Sequence, residues 1–256
     1  MKILRVIATL LLLASLCTVI ASAENAHGWY IVKKRGGMPG FPADSTYLGE
    51  HSCYFIDKKS AESGEKVIYL TFDAGYENGN IERILDALKS EGVHAAFFVL
   101  SNLINKNTDL VCRMFDEGHC VCNHTQNHKT PARMSADEIK DDLGGLEALC
   151  LEKTGHEMSK YFRYPEGVYS KESVDSLEEL GYKSFFWSAA YADWDNNKQP
   201  RCSDAIESLR AQTHPGAIIL LHPTSSTNAE IIPQMITIWR EMGYRFGTLD
   251  ELVAHS

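Results

Sequence analysis

The sequence Val67-Ile-Tyr-Leu-Thr-Phe-Asp-Ala-Gly-Tyr-Glu-Asn-Gly79 runs directly into the segment Asn80–Ser90, and the two have different periodicities. The first part, Val67–Phe72, is an apolar run of strand length. The second segment carries apolar residues at helical spacing, namely Ile81, Ile84, Leu85 and Leu88. A strand that is apolar on both faces and leads into an amphipathic helix is typical of one unit of a parallel α/β sheet.

The same alternation continues along the chain. Further strand-like runs are Ala95–Leu100, His119–Cys122, Tyr161–Arg163, Tyr182–Trp187, Ala217–Leu221 and Tyr244–Phe246. The intervening segments have helix signals, including a helical pattern at Thr108–Glu117 and capping boxes that begin at Ser135 and Thr227. The pattern predicts an α/β fold with a distorted (β/α) barrel of about seven units. In such a barrel, the chemistry lies at the carboxyl ends of the strands.

Polar residues stand directly after most of the predicted strands. They are Asp73 after the first, His124 and His128 after the third, Arg163 after the fourth, Asp193 after the fifth and His222 after the sixth. Each has an ordinary alternative interpretation as a helix cap, a surface histidine or a salt-bridge partner. Because they all follow strands in order, we expect them to converge on one site.

The histidines offer a possible metal site. His124 and His128 are four residues apart, so both imidazoles could face one ion from a single helical turn. A zinc site made by His119, Cys120, Cys122 and His124 is an alternative. Cys-x-Cys lacks the usual gap between zinc ligands, and the apolar residue between the cysteines favours a buried strand with small core side chains.

The amino terminus has the pattern of an export signal. Residues 1–23 contain a basic start, an apolar stretch and the cleavage pattern Ala21-Ser22-Ala23. An uncleaved membrane anchor is the alternative, but the apolar stretch is short for a bilayer span. We expect an exported protein without stable membrane insertion after cleavage. Residues 24–66 are interpreted as an irregular lead-in segment and residues 67–256 as the catalytic domain.

Composition and charge exclude several classes of protein. The chain has 256 residues and a formal net charge of −9. Residues 1–23 contribute two of the positive charges and no acid, so the remainder carries −11. This charge argues against nucleic acid as a partner, since such a partner needs a basic face. The six cysteines beyond residue 23 leave the disulfide state open. We expect a monomer.

These motifs resemble those of the NodB-homology polysaccharide deacetylases, which are metal-dependent hydrolases that remove acetyl groups from carbohydrates. The resemblance covers about residues 66–252, and its motifs are Thr71-Phe-Asp-x-Gly75, His124-Thr-x-x-His128, Arg163-x-Pro-x-Gly167 and Leu220-Leu-His222. The sequences Phe186-Trp-Ser188, Asp193-Trp194, His214-Pro-Gly-Ala217 and Asn228-Ala-Glu230 further resemble the branch that makes muramic delta-lactam in spore cortex peptidoglycan.

The resemblance implies a role for each motif residue. His124 and His128 would bind one divalent metal ion, with zinc expected and other ions open. Asp73 would be the general base, His222 the general acid, and Arg163 would orient Asp73. The residues implied in substrate binding are Tyr164, Asp193, Trp194 and Leu220. The implied substrate is N-acetylmuramic acid in peptidoglycan glycan strands.

Two positions depart from the family pattern. Ala74 stands where most of the family has a metal-binding aspartate, so we expect weaker metal binding than an Asp-His-His site gives. Ala190 stands where many relatives have an acid that tunes the catalytic histidine, which leaves Asp193 and Glu166 as candidates. Two alternative functions stay open. One is deacetylation of another polysaccharide, such as chitin oligomers, N-acetylglucosamine of the wall or acetylxylan, and the other is a catalytically impaired glycan-binding protein. A thiol enzyme is disfavoured, since no oriented cysteine–histidine pair is evident.

Overall fold

The computed structural model describes residues 25–34 and 37–255, so the predicted signal peptide lies outside the described residues. The strands are β1 (His27–Gly28), β2 (Cys53–Tyr54), β3 (Val67–Ala74), β4 (Ala96–Val99), β5 (Cys120–Asn123), β6 (Ser159–Phe162), β7 (Val168–Tyr169), β8 (Lys183–Phe185), β9 (Ala189–Ala190), β10 (Ala217–Leu221) and β11 (Arg245–Phe246). The helices are α1 (Ser45–Leu48), α2 (Lys58–Ser63), α3 (Ile81–Glu91), α4 (Ser101–Lys106), α5 (Thr108–Asp116), α6 (Ala136–Thr154), α7 (Lys171–Glu179), α8 (Cys202–Gln212), α9 (Ser226–Glu241) and α10 (Leu249–His255).

The main sheet is parallel and curled. Its order is β2-β8-β6-β5-β4-β3-β10-β9, and β11 pairs with the start of β3. Strands β8 and β9 lie on one continuous segment, whose first residues pair with β6 and whose last residues pair with β10. The sheet therefore returns on itself, and the predicted distorted (β/α) barrel is confirmed.

Strand β3 shows how the barrel separates two cores. Ile68, Leu70 and Phe72 alternate with their neighbours and pack with the helices in an outer cluster. Val67 and Tyr69 point to the other side and pack with residues of β4, β5, β6, β8 and β10 in an inner cluster. Both faces of the strand are buried, which explains why its sequence is apolar without a two-residue alternation.

The helix starts agree with the sequence in one case and differ in the other. Ser135 caps α6, and its side chain and that of Glu138 form the predicted capping box. The box predicted at Thr227 is wrong, because the cap of α9 is Ser225, whose hydroxyl accepts a hydrogen bond from the amide of Asn228. Since adjacent serines and a threonine can all cap a helix, the sequence did not distinguish them.

The lead-in segment is tied to the barrel by backbone pairing. Strand β1 pairs with β7, and Val32 forms a bridge with Gly40. Strand β2 joins the parallel sheet beside β8. No helix of the described residues is long and apolar enough to cross a membrane.

Candidate active site

The residues after the strands converge on a cavity of about 740 Å³ at the carboxyl end of the barrel. Two charged or titratable residues come from the ends of neighbouring strands: Asp73 lies in β3 and His222 directly follows β10. The full lining is Ile31, Lys33, Asp73, His128, Glu166, Gly167, Trp187, Ala190, Tyr191, Ala192, Trp194, Leu220 and His222. The cavity thus brings the carboxylate of Asp73 and the imidazole of His222 together.

Asp73 is held as a carboxylate by Arg163. The guanidinium Nη1 donates to Asp73 Oδ1 at 2.8 Å, and the Arg163 side chain is completely buried. It also donates to the carbonyl of Phe185 and lies 4.2 Å above the ring of Phe98. Burial raises the pKa of Asp73, but the charge and hydrogen bond of Arg163, with a smaller contribution from His222, outweigh this effect and hold the pKa below its ordinary value.

His124 is oriented as a neutral ring with one free nitrogen. Its Nδ1 lies 2.8 Å from the carbonyl oxygen of Arg163, which can only accept, so the proton is on Nδ1. Nε2 is left facing Asp73 Oδ2 at 3.6 Å. Burial lowers the pKa of His124 to about 4. A neutral imidazole with a fixed tautomer is the form that binds metal ions.

The loop after β5 brings His128 towards His124, but not by a helical turn. The two ring centroids are 5.0 Å apart at an angle of 72°. Residues 124–128 are irregular, with Thr125 and His128 at φ values of 70° and 58°, so the predicted single helical turn is wrong. The amide of Thr125 donates to the side chain of Asn123, which offers the backbone an alternative to helix.

His222 belongs to a network that begins at Asp193. Its Nδ1 donates to Asp193 Oδ1 at 2.7 Å, and its backbone amide donates to Oδ2 at 2.8 Å. Asn228 donates to the same carboxylate at 2.6 Å and accepts a hydrogen bond from the hydroxyl of Tyr191. Burial lowers the pKa of His222, but the hydrogen bond and charge of Asp193 outweigh it, so the pKa is raised overall.

The residues expected to contact substrate separate into two groups. Leu220 and Trp194 line the cavity, and Trp194 is 63% exposed. Tyr164 does not line it, because its ring is buried against Phe162 and Phe186, which corrects the prediction that it forms the slot. Asp193 is also buried, and its oxygens bind His222 and Asn228. Its contacts therefore serve the histidine rather than a substrate, which corrects that prediction as well.

The residues fit a divalent ion held by two imidazoles. His124 presents a free Nε2, and His128 is exposed beside it. Ala74 is fully buried and offers no ligand. Within the described ranges, no group of three or more His, Cys, Asp or Glu side chains is arranged to hold a metal ion. An ion at this place would therefore take its remaining ligands from water, from substrate or from the neighbouring carboxylate of Asp73, whose Oδ2 lies 3.6 Å from His124 Nε2.

The alternative zinc set does not assemble. The Nδ1 of His119 accepts a hydrogen bond from the amide of Ala95, so its proton is on Nε2 and neither nitrogen is free for a metal. His124 turns its free nitrogen towards Asp73 instead. Cys122 belongs to the inner apolar cluster, with the partly buried Cys120 packed against it, in agreement with their interpretation as core residues.

Two functional features escaped the sequence analysis, and one candidate residue has a different position from the one expected. Lys33 and Ile31 of the lead-in segment line the cavity, although nothing in their irregular surroundings indicates this. Asn228 supports Asp193, and the only signal was its place in a family-like motif. Glu166, a candidate for tuning His222, lines the cavity but does not contact the histidine ring by any hydrogen bond found in the described residues.

A curled parallel α/β barrel with a buried Arg–Asp pair and an Asp–His pair at the ends of its strands has the architecture of an α/β-barrel enzyme with its polar groups at the carboxyl ends of the strands. A profile of the polysaccharide deacetylase family matches residues 60–185. The chain is 40% identical over 189 residues to peptidoglycan-N-acetylmuramic acid deacetylase PdaA of Bacillus subtilis, covering 74% of this chain and 72% of that protein. The chain belongs to the polysaccharide deacetylase family and is a hydrolase of the carbon–nitrogen bond of N-acetyl groups.

Solved structures agree with this assignment. The structure of Bacillus subtilis PdaA, a family 4 carbohydrate esterase, matches with a TM-score of 0.84 at 34% identity and covers 89% of this chain and 97% of that chain. A pseudoenzyme of the same family from Bacillus anthracis matches with a TM-score of 0.67 at 29% identity, over 73% of this chain and 65% of that chain. The family thus includes a protein that has this fold and is described as a pseudoenzyme, so the fold alone does not assign the role of each site residue.

Proposed function

We propose that this chain removes the N-acetyl group from N-acetylmuramic acid in peptidoglycan glycan strands. The observation that carries the proposal is that Asp73 and His222 line the same cavity while each is held by a buried partner of opposite charge. The identity with PdaA supports the choice of sugar. The reaction takes place outside the cytoplasm if residues 1–23 are an export signal, and all of these groups come from one chain, so a monomer suffices.

The acid and the base divide the proton transfers between them. Asp73 accepts a proton from the attacking water, and the charge of Arg163 keeps it ionised for this purpose. His222 in its protonated form donates from Nε2 to the departing nitrogen, since its Nδ1 is occupied by Asp193. Trp194 and Leu220 line the walls beside the acetyl group. One proton is removed and one is delivered, so hydrolysis yields acetate and a free amine.

A divalent ion completes the site in this proposal, with zinc the expected metal. His124 and His128 would hold it, and a bound ion lowers the pKa of water and polarises a carbonyl group. The neutral state of His124 suits this role, because its Nε2 needs no deprotonation before it binds.

Metal binding should depend on these imidazoles and improve with a third ligand. In calorimetric titrations of metal-stripped protein with Zn²⁺, we expect His124→Ala to weaken binding by at least about tenfold, since even an outer-shell partner contributes that much. The exposed His156, which stacks on Phe115, is the control, and His156→Ala should bind as the unaltered protein does. Ala74→Asp should bind more tightly. Equal affinity of the Ala74→Asp variant and the unaltered protein would contradict the proposed gap in the ligand set.

The finer proposal is a step towards muramic delta-lactam in spore cortex. Deacetylation leaves an amine beside the lactyl carboxyl group of the same sugar. Closure joins these two groups in an amide and releases water, and their fixed proximity favours this intramolecular step. The sequence motifs shared with the delta-lactam branch support this substrate, which requires a muramic acid whose peptide has been removed.

The proposal is tested with residues 24–256 and two preparations of peptidoglycan, one intact and one stripped of peptides. We expect a mass loss of one acetyl group per reacted muramic acid in the stripped material, and a large decrease in this product when a chelator is added. Acetate release from N-acetylglucosamine alone would replace the proposed substrate with another sugar. Binding without any release would favour the impaired glycan-binding alternative.

A further inference from the structure

The lead-in segment forms one wall of the active-site cavity and contributes a lysine to it. Residues 27–40 lie outside the region that matches the family profile, which is 60–185. Ile31 and Lys33 nevertheless line the cavity together with Asp73 and His222. The lead-in segment therefore contributes side chains to the same cavity as Asp73 and His222.

This wall is fixed to the loops that surround the cavity. The amide of Trp29 donates to the carbonyl of Gly167 at 2.9 Å, and its indole nitrogen donates to the carbonyl of Trp187 at 2.9 Å. Both acceptor residues line the cavity. Gly167 has a φ of 68°, and an added Cβ there would lie 3.1 Å from that of Trp29, so the segment approaches this loop closely.

The local conformation places Lys33 on the same side of the chain as Ile31, at the cavity. Val32 forms two backbone hydrogen bonds with Gly40, at 2.8 and 2.9 Å, so the chain is extended here. Side chains alternate in an extended chain, which puts Ile31 and Lys33 on one side and Val32 on the other. The cavity lining agrees with this alternation, since it includes Ile31 and the solvent-accessible Lys33 but not Val32.

The ammonium group of Lys33 forms no ion pair with any described residue. Among the described residues, no salt bridge or hydrogen bond involves its side chain, and it is the only lysine or arginine in the cavity lining. Burial lowers its pKa, and no carboxylate offsets that effect. A partly desolvated cation without a partner is stabilised when an anion binds beside it.

We propose that Lys33 forms a carboxylate-binding subsite that selects acidic sugars, with the lactyl carboxylate of N-acetylmuramic acid as its ligand. This inference rests on the proposed function, because that substrate carries its carboxylate on the same ring as the N-acetyl group. N-acetylglucosamine has the same N-acetyl group and no carboxylate. Recognition of one negative charge at this wall would therefore distinguish the two sugars of the glycan strand.

The test compares two forms of one ligand, peptide-stripped muramoyl glycan fragments with the lactyl group either as free acid or as amide. Binding is measured by calorimetry in an Asp73→Asn background, so that the fragments are not consumed. The parent should bind the acid about tenfold more tightly than the amide, as expected for a hydrogen bond to a charged group. Lys33→Met should remove this preference. Lys34→Met is the control, because Lys34 is exposed next to Lys33 and does not line the cavity.

Steady-state kinetics of the otherwise unaltered enzyme provide a second measurement. Lys33→Met should raise KM for the acid form about tenfold and leave kcat and the constants for a neutral glycan unchanged. Equal weakening of acid and amide binding would indicate a structural role and overturn the subsite, as would no change at all. If the enzyme releases acetate only from N-acetylglucosamine, the proposed function fails, but the acid–amide comparison still decides the role of Lys33.

Discussion

Replacing Asp73 with asparagine is expected to lower kcat by roughly 100- to 10,000-fold, the usual contribution of a general base. The amide has the same shape and can still accept a hydrogen bond from Arg163, but it cannot take a proton from water. Because the charge of Arg163 holds the pKa of Asp73 below its ordinary value, the carboxylate of the parent enzyme is available from mildly acidic pH upwards. The acid limb of the pH profile should therefore lie below the usual range of a carboxyl group.

The matched control is Asp86→Asn. Asp86 lies on the helix that directly follows Asp73 and forms an exposed ion pair with Arg113 at 2.6 Å, so its loss should have little effect on activity or stability. Circular dichroism melting curves of both variants distinguish lost chemistry from lost structure, since Asp73→Asn leaves the buried Arg163 without its counter-charge. A folded Asp73→Asn enzyme with more than about a tenth of the parent kcat would exclude Asp73 as the base.

Much of the barrel could be predicted because its central strands β3, β4 and β10 are buried on both faces. Val67–Phe72 and Ala217–Leu221 are continuous apolar runs, and the structure pairs them as neighbouring strands. Their ends could also be predicted to approach each other, since parallel strands finish at the same edge. The proximity of Asp73 and His222 can therefore be predicted without any knowledge of side-chain contacts.

The sequence was less informative once a strand had ended. Tyr164 directly follows the buried Arg163, yet it packs into an aromatic cluster under the lead-in segment, and periodicity cannot predict a direction where the period stops. His124 and His128 have helical spacing, but Thr125 and His128 adopt left-handed backbone conformations, which helical spacing does not predict. The position of Lys33 at the cavity depends on the hydrogen bonds of Trp29 with Gly167 and Trp187, which are far away in sequence, so no local pattern reveals it.

Replacing Asp193 with asparagine is expected to move the alkaline limb of the pH profile to lower pH. His222 acts in its protonated form, so activity is present below its pKa and is lost as pH rises through that pKa. The hydrogen bond and charge of Asp193 raise this pKa against the effect of burial. Without the charge of Asp193, the effect of burial lowers the pKa of His222. A smaller fraction of His222 is then protonated at neutral pH. We expect kcat/KM at neutral pH to decrease roughly 100-fold.

Asp195→Asn provides the matched control, because Asp195 is exposed two residues away and its side chain accepts a hydrogen bond only from the amide of Asn197. Its pH profile should match that of the parent. An Asp193→Asn profile that decreases at all pH values without a shift would mean that Asp193 only positions the ring, and a shift to higher pH would contradict the assignment of His222 as the acid.

Asn228→Ala should shift the alkaline limb to higher pH or not at all, because Asn228 donates to the carboxylate of Asp193 and competes with His222 for its charge. The direction of the shift therefore separates the charge of Asp193 from the packing around it.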